Sequence, residues 1–125
     1  MKKFKTSKEA FASQNFDPNA VQITGVPEQH LDAVKAFINL CVVHDAVNPK
    51  FNPDFKDYGQ SKYSNFFEMG SPSGVGFSFY GYDGWVTDSD VGSRLVSESS
   101  EASKLIAKIC KDDYKTMMVY SRKTE

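Results

Sequence analysis

The sequence predicts an α+β fold, in which a three- to four-stranded antiparallel meander packs against a long central helix and a C-terminal helix. Apolar residues recur at helical spacing over residues 27–47 and again over residues 99–118. Between these segments, residues 62–97 alternate apolar with small or polar side chains and are interrupted by glycines. A chain of 125 residues fits a single domain, 1–125, and is too short for two independent cores.

Two helices are predicted before the meander. The first, residues 6–14, opens on a capping-box pattern in which Thr6 is the N-cap and Glu9 lies three residues later. The central helix, residues 27–47, begins at Pro27, a residue suited to the first helical position. Its apolar residues form two stripes, so we expect this helix to lie between other elements of the fold.

Strand-type alternation and turn residues define the rest of the chain. Asp83-Gly84 is a dipeptide typical of hairpin turns. Ser99 is the predicted cap of the C-terminal helix, residues 99–118. The predicted strands of the meander occupy residues 62–69, 75–82 and 91–96.

Composition excludes several classes of protein. The net charge is −1 and the pI is about 6.1, so the chain has no overall basic field for nucleic acid or anionic lipid. No apolar run reaches the roughly 20 residues that span a bilayer. The basic start of the chain is not followed by the apolar stretch of a signal peptide. We therefore expect a cytoplasmic protein, in the cytosol of a host cell, with no membrane partner.

Few residues offer reactive chemistry. His30 and His44 are 14 positions apart on one predicted helix, about 21 Å, so they cannot share a metal ion. Both are interpreted as polar residues on the helix flank. Cys41 and His44 have a spacing that would allow thiol activation, but burial of Cys41 on the apolar stripe would raise the thiol pKa. Cys41 and Cys110 are interpreted as buried reduced thiols.

Two further patterns do not predict a binding site for calcium or phosphate. Asp83, Asp88 and Asp90 lack the residue order of a calcium-binding loop, which favours solvated turn residues. The glycine-rich run 70–76 has no following Lys-Ser or Lys-Thr and joins strand to strand, so it is a turn and not a phosphate-binding loop. The sequence thus predicts no catalytic residue, no metal site and no cofactor.

The aromatic residues are the unusual feature. Eleven of the 17 aromatics lie between Phe51 and Trp85. Alternation along a strand would turn the phenylalanines toward the helices and leave tyrosines on the opposite face. If that face is open, its residues could stack on bases or form a protein-binding hot spot. The residues predicted to bind are Tyr80, Tyr82, Trp85 and Arg94.

The order of these segments resembles an uncharacterised family of small proteins common in phages and prophages of gut Bacteroidales. The similarity runs from about Phe4 to Met118, and it implies a mobile-element setting without implying an activity. Relatives tend to carry Pro-Trp at the positions of Asn65-Phe66. The matching pieces are the helix ending near Asn48, Lys62-Tyr63, Phe66-Phe67-Glu68-Met69, Gly74 to Phe77, Val91-Gly92-Ser93-Arg94-Leu95 and Ser99.

Three hypotheses of function remain. The first is a non-enzymatic protein-interaction or accessory structural factor of a phage or mobile element. Such a factor would self-associate or bind a protein partner, and one version of this hypothesis places it in the virion. The alternative is single-stranded nucleic-acid binding through an aromatic sheet face, although the basic groove typical of such proteins is missing. The second alternative is a small hydrolase or transferase, for which only the Cys41–His44 spacing argues.

Overall fold

A computed structural model describes residues 1–122 as four helices and one β-hairpin. The α+β class and the antiparallel sheet are therefore confirmed. Residues 123–125 of the predicted domain lie outside the described residues. The elements are α1 (Ser7–Ser13), α2 (Glu28–Val47), β1 (Lys62–Glu68), β2 (Ser78–Trp85), α3 (Ser100–Ile109) and α4 (Lys111–Met118).

The longest of these helices, α2, contacts all three of the others. Its apolar residues supply much of the core, which α1, α3, α4 and the hairpin complete. Asn48 follows the last residue of α2, and its buried amide donates to the Ser97 hydroxyl at 3.2 Å while its carbonyl accepts from the Glu98 amide at 2.9 Å. The end of α2 is thus attached to the segment that leads into α3. The buried residues of α2 are Ala36, Leu40, Val43, His44, Ala46 and Val47.

Within residues 1–122 the sheet has two strands, so the prediction of three or four was wrong. The segment expected to form a third strand, 91–96, turns instead at Gly92, whose φ of +69° is a conformation that glycine tolerates best. A 3₁₀ turn follows over residues 93–95. Within residues 91–97, Ser97 alone pairs with β1, through two hydrogen bonds with the backbone of Tyr63 at 2.8 and 3.0 Å.

The turn between the two strands lies at the glycine-rich run 70–76, as predicted, but the second predicted turn does not form. Asp83-Gly84 forms no turn, because both residues belong to β2 and pair with Ser64 and Tyr63 of β1. The chain reverses earlier, over residues 69–77. Gly70 there has a φ of +73°, and a side chain at this position would clash with the Val75 carbonyl oxygen at 2.2 Å. The turn therefore depends on a glycine of the predicted run 70–76.

The predicted C-terminal helix, residues 99–118, is two helices separated at Cys110, which has φ −115° and ψ 24°. Ser99 caps α3 by accepting from the Ala102 amide at 3.1 Å. The change of direction at Cys110 accompanies the contact between Tyr114 of α4 and Phe67 of β1, whose ring centroids are 4.6 Å apart. The two short helices therefore cover the hairpin from one side.

Lys62, the first residue of β1, is fully buried. Its ammonium nitrogen donates to the carbonyl oxygens of Gln60 at 2.8 Å and Val86 at 2.7 Å. The carbonyl oxygen of Asp54 is a third acceptor, and that of Asp57 lies at 3.4 Å. These oxygens offset the loss of hydration of the charge. The Phe55 ring, whose centroid lies 5.1 Å from the ammonium nitrogen, adds a cation–π contact. Lys62 thereby fixes the connector, residues 51–61, against the start of the hairpin.

We predict that Lys62→Met destabilises the protein by about 2–5 kcal/mol, because the substitution leaves buried carbonyl oxygens without donors. Urea unfolding followed by circular dichroism measures the change. Lys56→Met is the matched control, since the Lys56 side chain is exposed, and it should stay within about 0.5 kcal/mol of the parent. Equal urea midpoints for Lys62→Met and Lys56→Met would show that the Lys62 ammonium does not stabilise the position of the connector.

Candidate interaction surface on the β-hairpin

The hairpin has an inner face that contacts the C-terminal helices. Asn65 of β1 accepts from the Ser103 hydroxyl at 2.7 Å and donates to the Tyr114 hydroxyl at 3.1 Å. Phe67, two residues on, packs against Tyr114 and stacks on Phe77 at 5.0 Å between ring centroids. Tyr82 pairs with Asn65 in the register and lies under the Lys104 ammonium of α3. This face is therefore joined to the core.

The other face, the outer face, is covered at one end only. Lys62 and Ser64 are buried there, and the Ser64 hydroxyl accepts from the indole nitrogen of Trp85 at 2.9 Å. The connector covers this end through its carbonyl contacts with Lys62. Farther along β1, Phe66 is 51% exposed. The covered half and the open half of the outer face thus meet between Ser64 and Phe66.

Two aromatic rings define the open half. Tyr80 is 67% exposed, and its ring meets that of Phe66 edge to face at 5.7 Å between centroids. We call this pair the open aromatic patch. Since one aromatic side chain presents about 150–250 Å², these two rings leave on the order of 200 Å² in water. Phe79 and Tyr82 are also 37% and 41% exposed, but they pair with Phe67 and Asn65 and belong to the inner face.

A β-bulge decides which tyrosine faces outward. Phe66 pairs with Gly81 and Phe67 pairs with Phe79, so Tyr80 is an extra residue in β2. The expected alternation would have placed Tyr80 and Tyr82 on one face, and that expectation was wrong. Tyr80 contacts Phe66 on the outer face, whereas Tyr82 contacts Tyr63 and Lys104 on the inner face.

The other two predicted binding residues lie elsewhere. Trp85 is half-buried at the covered end, with its indole nitrogen already bonded to Ser64. Arg94 is exposed in the 3₁₀ turn, and with His44 and Asp45 of α2 it lines a small cavity of about 50 Å³. Tyr80, Tyr82, Trp85 and Arg94 therefore do not form one platform. Phe66, which the sequence analysis assigned to the strand without a binding role, is the partner of Tyr80.

The hairpin region carries charge of one sign. Residues 63–93 contain no Lys, Arg or His, and their four acidic residues are all exposed. Glu68 lies two residues beyond Phe66 on β1, and Asp83 lies two residues beyond Gly81 on β2, so both share the outer face with the open aromatic patch. The acidic residues are Glu68, Asp83, Asp88 and Asp90.

The Cys41–His44 spacing does not form an activated thiol. Burial raises the pKa of the Cys41 thiol, and the Arg94 guanidinium only partly opposes this. Burial lowers the pKa of His44 to about 4, and its Nδ1 lies 2.6 Å from the Leu40 carbonyl oxygen. His44 is therefore a neutral core residue that donates to its own helix, not the helix-flank residue expected. Burial likewise raises the pKa of Cys110 to about 12, and neither cysteine is in a disulfide.

Within residues 1–122, no three His, Cys, Asp or Glu side chains come close enough together to hold a metal ion. None of the helices in that range is long and apolar enough to cross a membrane. His30 is exposed near the start of α2, with its ring 5.0 Å from that of Tyr120.

No known family model, curated protein or solved structure matches the chain. The surface must therefore be interpreted from its own residues.

We predict that His44 makes the folded state sensitive to acid. Its pKa is about 4 when folded and about 6.5 when unfolded, so the unfolded chain binds the extra proton as the pH falls from 6.5 to 4. Stability is complete above pH 6.5 and falls by about 3 kcal/mol across this window. Between pH 7.5 and pH 5, the free energy of unfolding should fall less for His44→Gln than for the parent protein.

His30→Gln is the control for this measurement, because the His30 side chain is exposed. It should retain the acid sensitivity of the parent protein. An identical pH dependence in His44→Gln and the parent would contradict the assignment of His44 as a buried neutral residue.

Proposed function

We propose that this protein is a non-enzymatic interaction factor that binds a protein partner through the open half of the hairpin's outer face. The observation that carries the proposal is the open aromatic patch, in which two rings contact each other while most of their surface remains in water. Aromatic residues of this kind dominate binding energy when a partner removes them from water. The patch has no role in the core, which Phe67 and Phe77 fill from the inner face.

The charge around the patch favours protein over nucleic acid. Single-stranded nucleic-acid sites combine stacking rings with a basic groove that follows the phosphates. Here the exposed charges on the outer face are the carboxylates of Glu68 and Asp83. They would repel phosphates, whereas they would attract a cationic protein surface. The proposal therefore selects a protein partner over the nucleic-acid alternative.

A catalytic role has no support at the Cys41–His44 pair. A thiol whose pKa is raised is a poor nucleophile at neutral pH. A histidine whose ring nitrogen is bonded to a backbone carbonyl is oriented by its own helix and not toward a thiol. Binding therefore accounts better for the surface than hydrolase or transferase chemistry.

We further propose that the partner belongs to a phage or mobile-element system, either a virion component or a host protein. The support is the resemblance of segment order to the phage and prophage family, which runs from about Phe4 to Met118. The genes that neighbour the coding sequence distinguish the two sources, since structural genes would favour a virion component and early genes a host protein.

Site-specific photo-crosslinking in living cells tests the binding surface. With benzoylphenylalanine at position 80, we expect a discrete crosslinked product, because the side chain there faces the partner. The same amino acid at position 58 is the control, since Tyr58 is 81% exposed but lies in the connector. Phe66→Ser should reduce the product at position 80 by about tenfold, equivalent to the 1.4 kcal/mol of a moderate hot spot.

Products of equal yield at positions 58 and 80, or none at position 80, would contradict the proposal. Circular dichroism of Phe66→Ser should match the parent, because Phe66 is half-exposed and outside the core. A loss of crosslinking can then be assigned to the surface and not to unfolding.

A further inference from the structure

The outer edge of β2 is available for strand pairing. Within residues 1–122, β2 pairs with β1 alone, whereas β1 has β2 on one side and the Ser97 bridge on the other. An unpaired edge presents main-chain donors and acceptors that an extended segment can satisfy. Addition of a strand at such an edge is a recurring mode of peptide recognition. The edge therefore restricts the partner segment to an extended conformation.

Gly81 leaves a gap in the outer face beside this edge. Its φ is not positive, so its backbone conformation does not require glycine. A side chain added there would have no heavy atom within 4 Å, so internal packing does not require glycine either. Glycine inside a strand is otherwise unfavourable, and it often marks a bulge, such as the one at Tyr80, or a close approach by another chain. The gap lies opposite Phe66 and next to Tyr80 in the sheet.

Carboxylates lie on both sides of the gap on the same face. Asp83 pairs with Ser64, and Glu68 is four positions farther along β1. At about 3.3 Å per residue, four positions correspond to about 13 Å. In an extended segment, residues i and i+4 span the same distance and point to the same side, with residue i+2 between them. Asp83 is on β2 itself, whereas Glu68 is on β1, about 4.8 Å farther from the edge. A cationic side chain at i would lie beside Asp83, and a long one at i+4 would extend across β2 to Glu68.

We propose that the β2 edge and the open aromatic patch bind an extended segment with the residue order basic–any–apolar–any–basic. The central apolar side chain lies over Gly81 against Phe66 and Tyr80, and the flanking basic side chains pair with Asp83 and Glu68. This inference rests on the proposed function and specifies the partner for that surface.

The same charges disfavour pairing between two copies of the chain. An antiparallel arrangement of two β2 edges would join two acidic hairpins, with Asp83 on the pairing strand of each copy and Glu68 on the strand behind it. No Lys, Arg or His occurs in residues 63–93 to offset them. Like charges brought together at an interface oppose association.

Fluorescence anisotropy with defined peptides tests the proposal on the full-length chain. The probe is fluorescein-labelled Thr-Lys-Thr-Val-Thr-Lys-Thr, which has the proposed order. Three matched peptides serve as comparison: one with both Lys replaced by Glu, one with the two Lys moved next to each other, and one with alternate amides N-methylated. We expect the probe to bind at least about tenfold more tightly than each of these.

Three variants locate the contact on the protein. Gly81→Val fills the gap without a clash, so it should retain the stability of the parent and weaken probe binding by about tenfold or more. Glu68→Gln combined with Asp83→Asn should weaken binding and reduce its salt dependence. Glu28→Gln, which removes an exposed carboxylate at the start of α2, should bind like the parent.

Equal binding of the probe and the N-methylated peptide would overturn the strand-addition geometry, as would full affinity in Gly81→Val. Failure of the probe to bind would also overturn the inference, and a dimer in sedimentation velocity that Gly81→Val dissociates would replace it with self-association. The proposed function fails separately, through loss of the crosslinked product at position 80.

Discussion

The buried ammonium of Lys62 is the constraint on which the arrangement of the hairpin depends. A charge removed from water needs oxygen partners, and here backbone carbonyls of the connector and of Val86 supply them. The connector must therefore lie across the beginning of the hairpin, the end at which Ser64 is also buried. Farther along β1, Phe66 is half-exposed. The contacts of Lys62 thus mark the covered half of the outer face.

The inner face is held by a different set of contacts. Asn65 bonds to Ser103 of α3 and to Tyr114 of α4, so a single side chain connects β1 to both C-terminal helices. Phe67 then fills the space between Tyr114 and Phe77. These contacts fix which side of the hairpin points to the core. With the inner face attached and half of the outer face covered, the open half of the outer face is the part around Phe66 and Tyr80.

Local sequence patterns predicted the elements better than their arrangement. The fold class followed from helical periodicity and from alternation in residues 62–97. The faces of β2 did not follow, because alternation assumes a regular strand and the bulge at Tyr80 separates it from Tyr82. Asp83-Gly84 favours a turn by itself, but the pairing with Tyr63 and Ser64 overrides that preference. The burial of Lys62 had no local signal, since its acceptors come from residues 54–60 and 86.

The central claim is that the hairpin leaves Phe66 and Tyr80 in water while the neighbouring Phe67 and Tyr114 are buried. Hydroxyl-radical footprinting with mass spectrometry measures this directly, because the oxidation rate of an aromatic ring follows its contact with solvent. In the free protein, Phe66 and Tyr80 should be oxidised several times faster than the two buried residues, whose exposed fractions are 6% and 4%. Equal protection of Phe66 and Phe67 would contradict the account, since it would mean that both faces of the hairpin are covered.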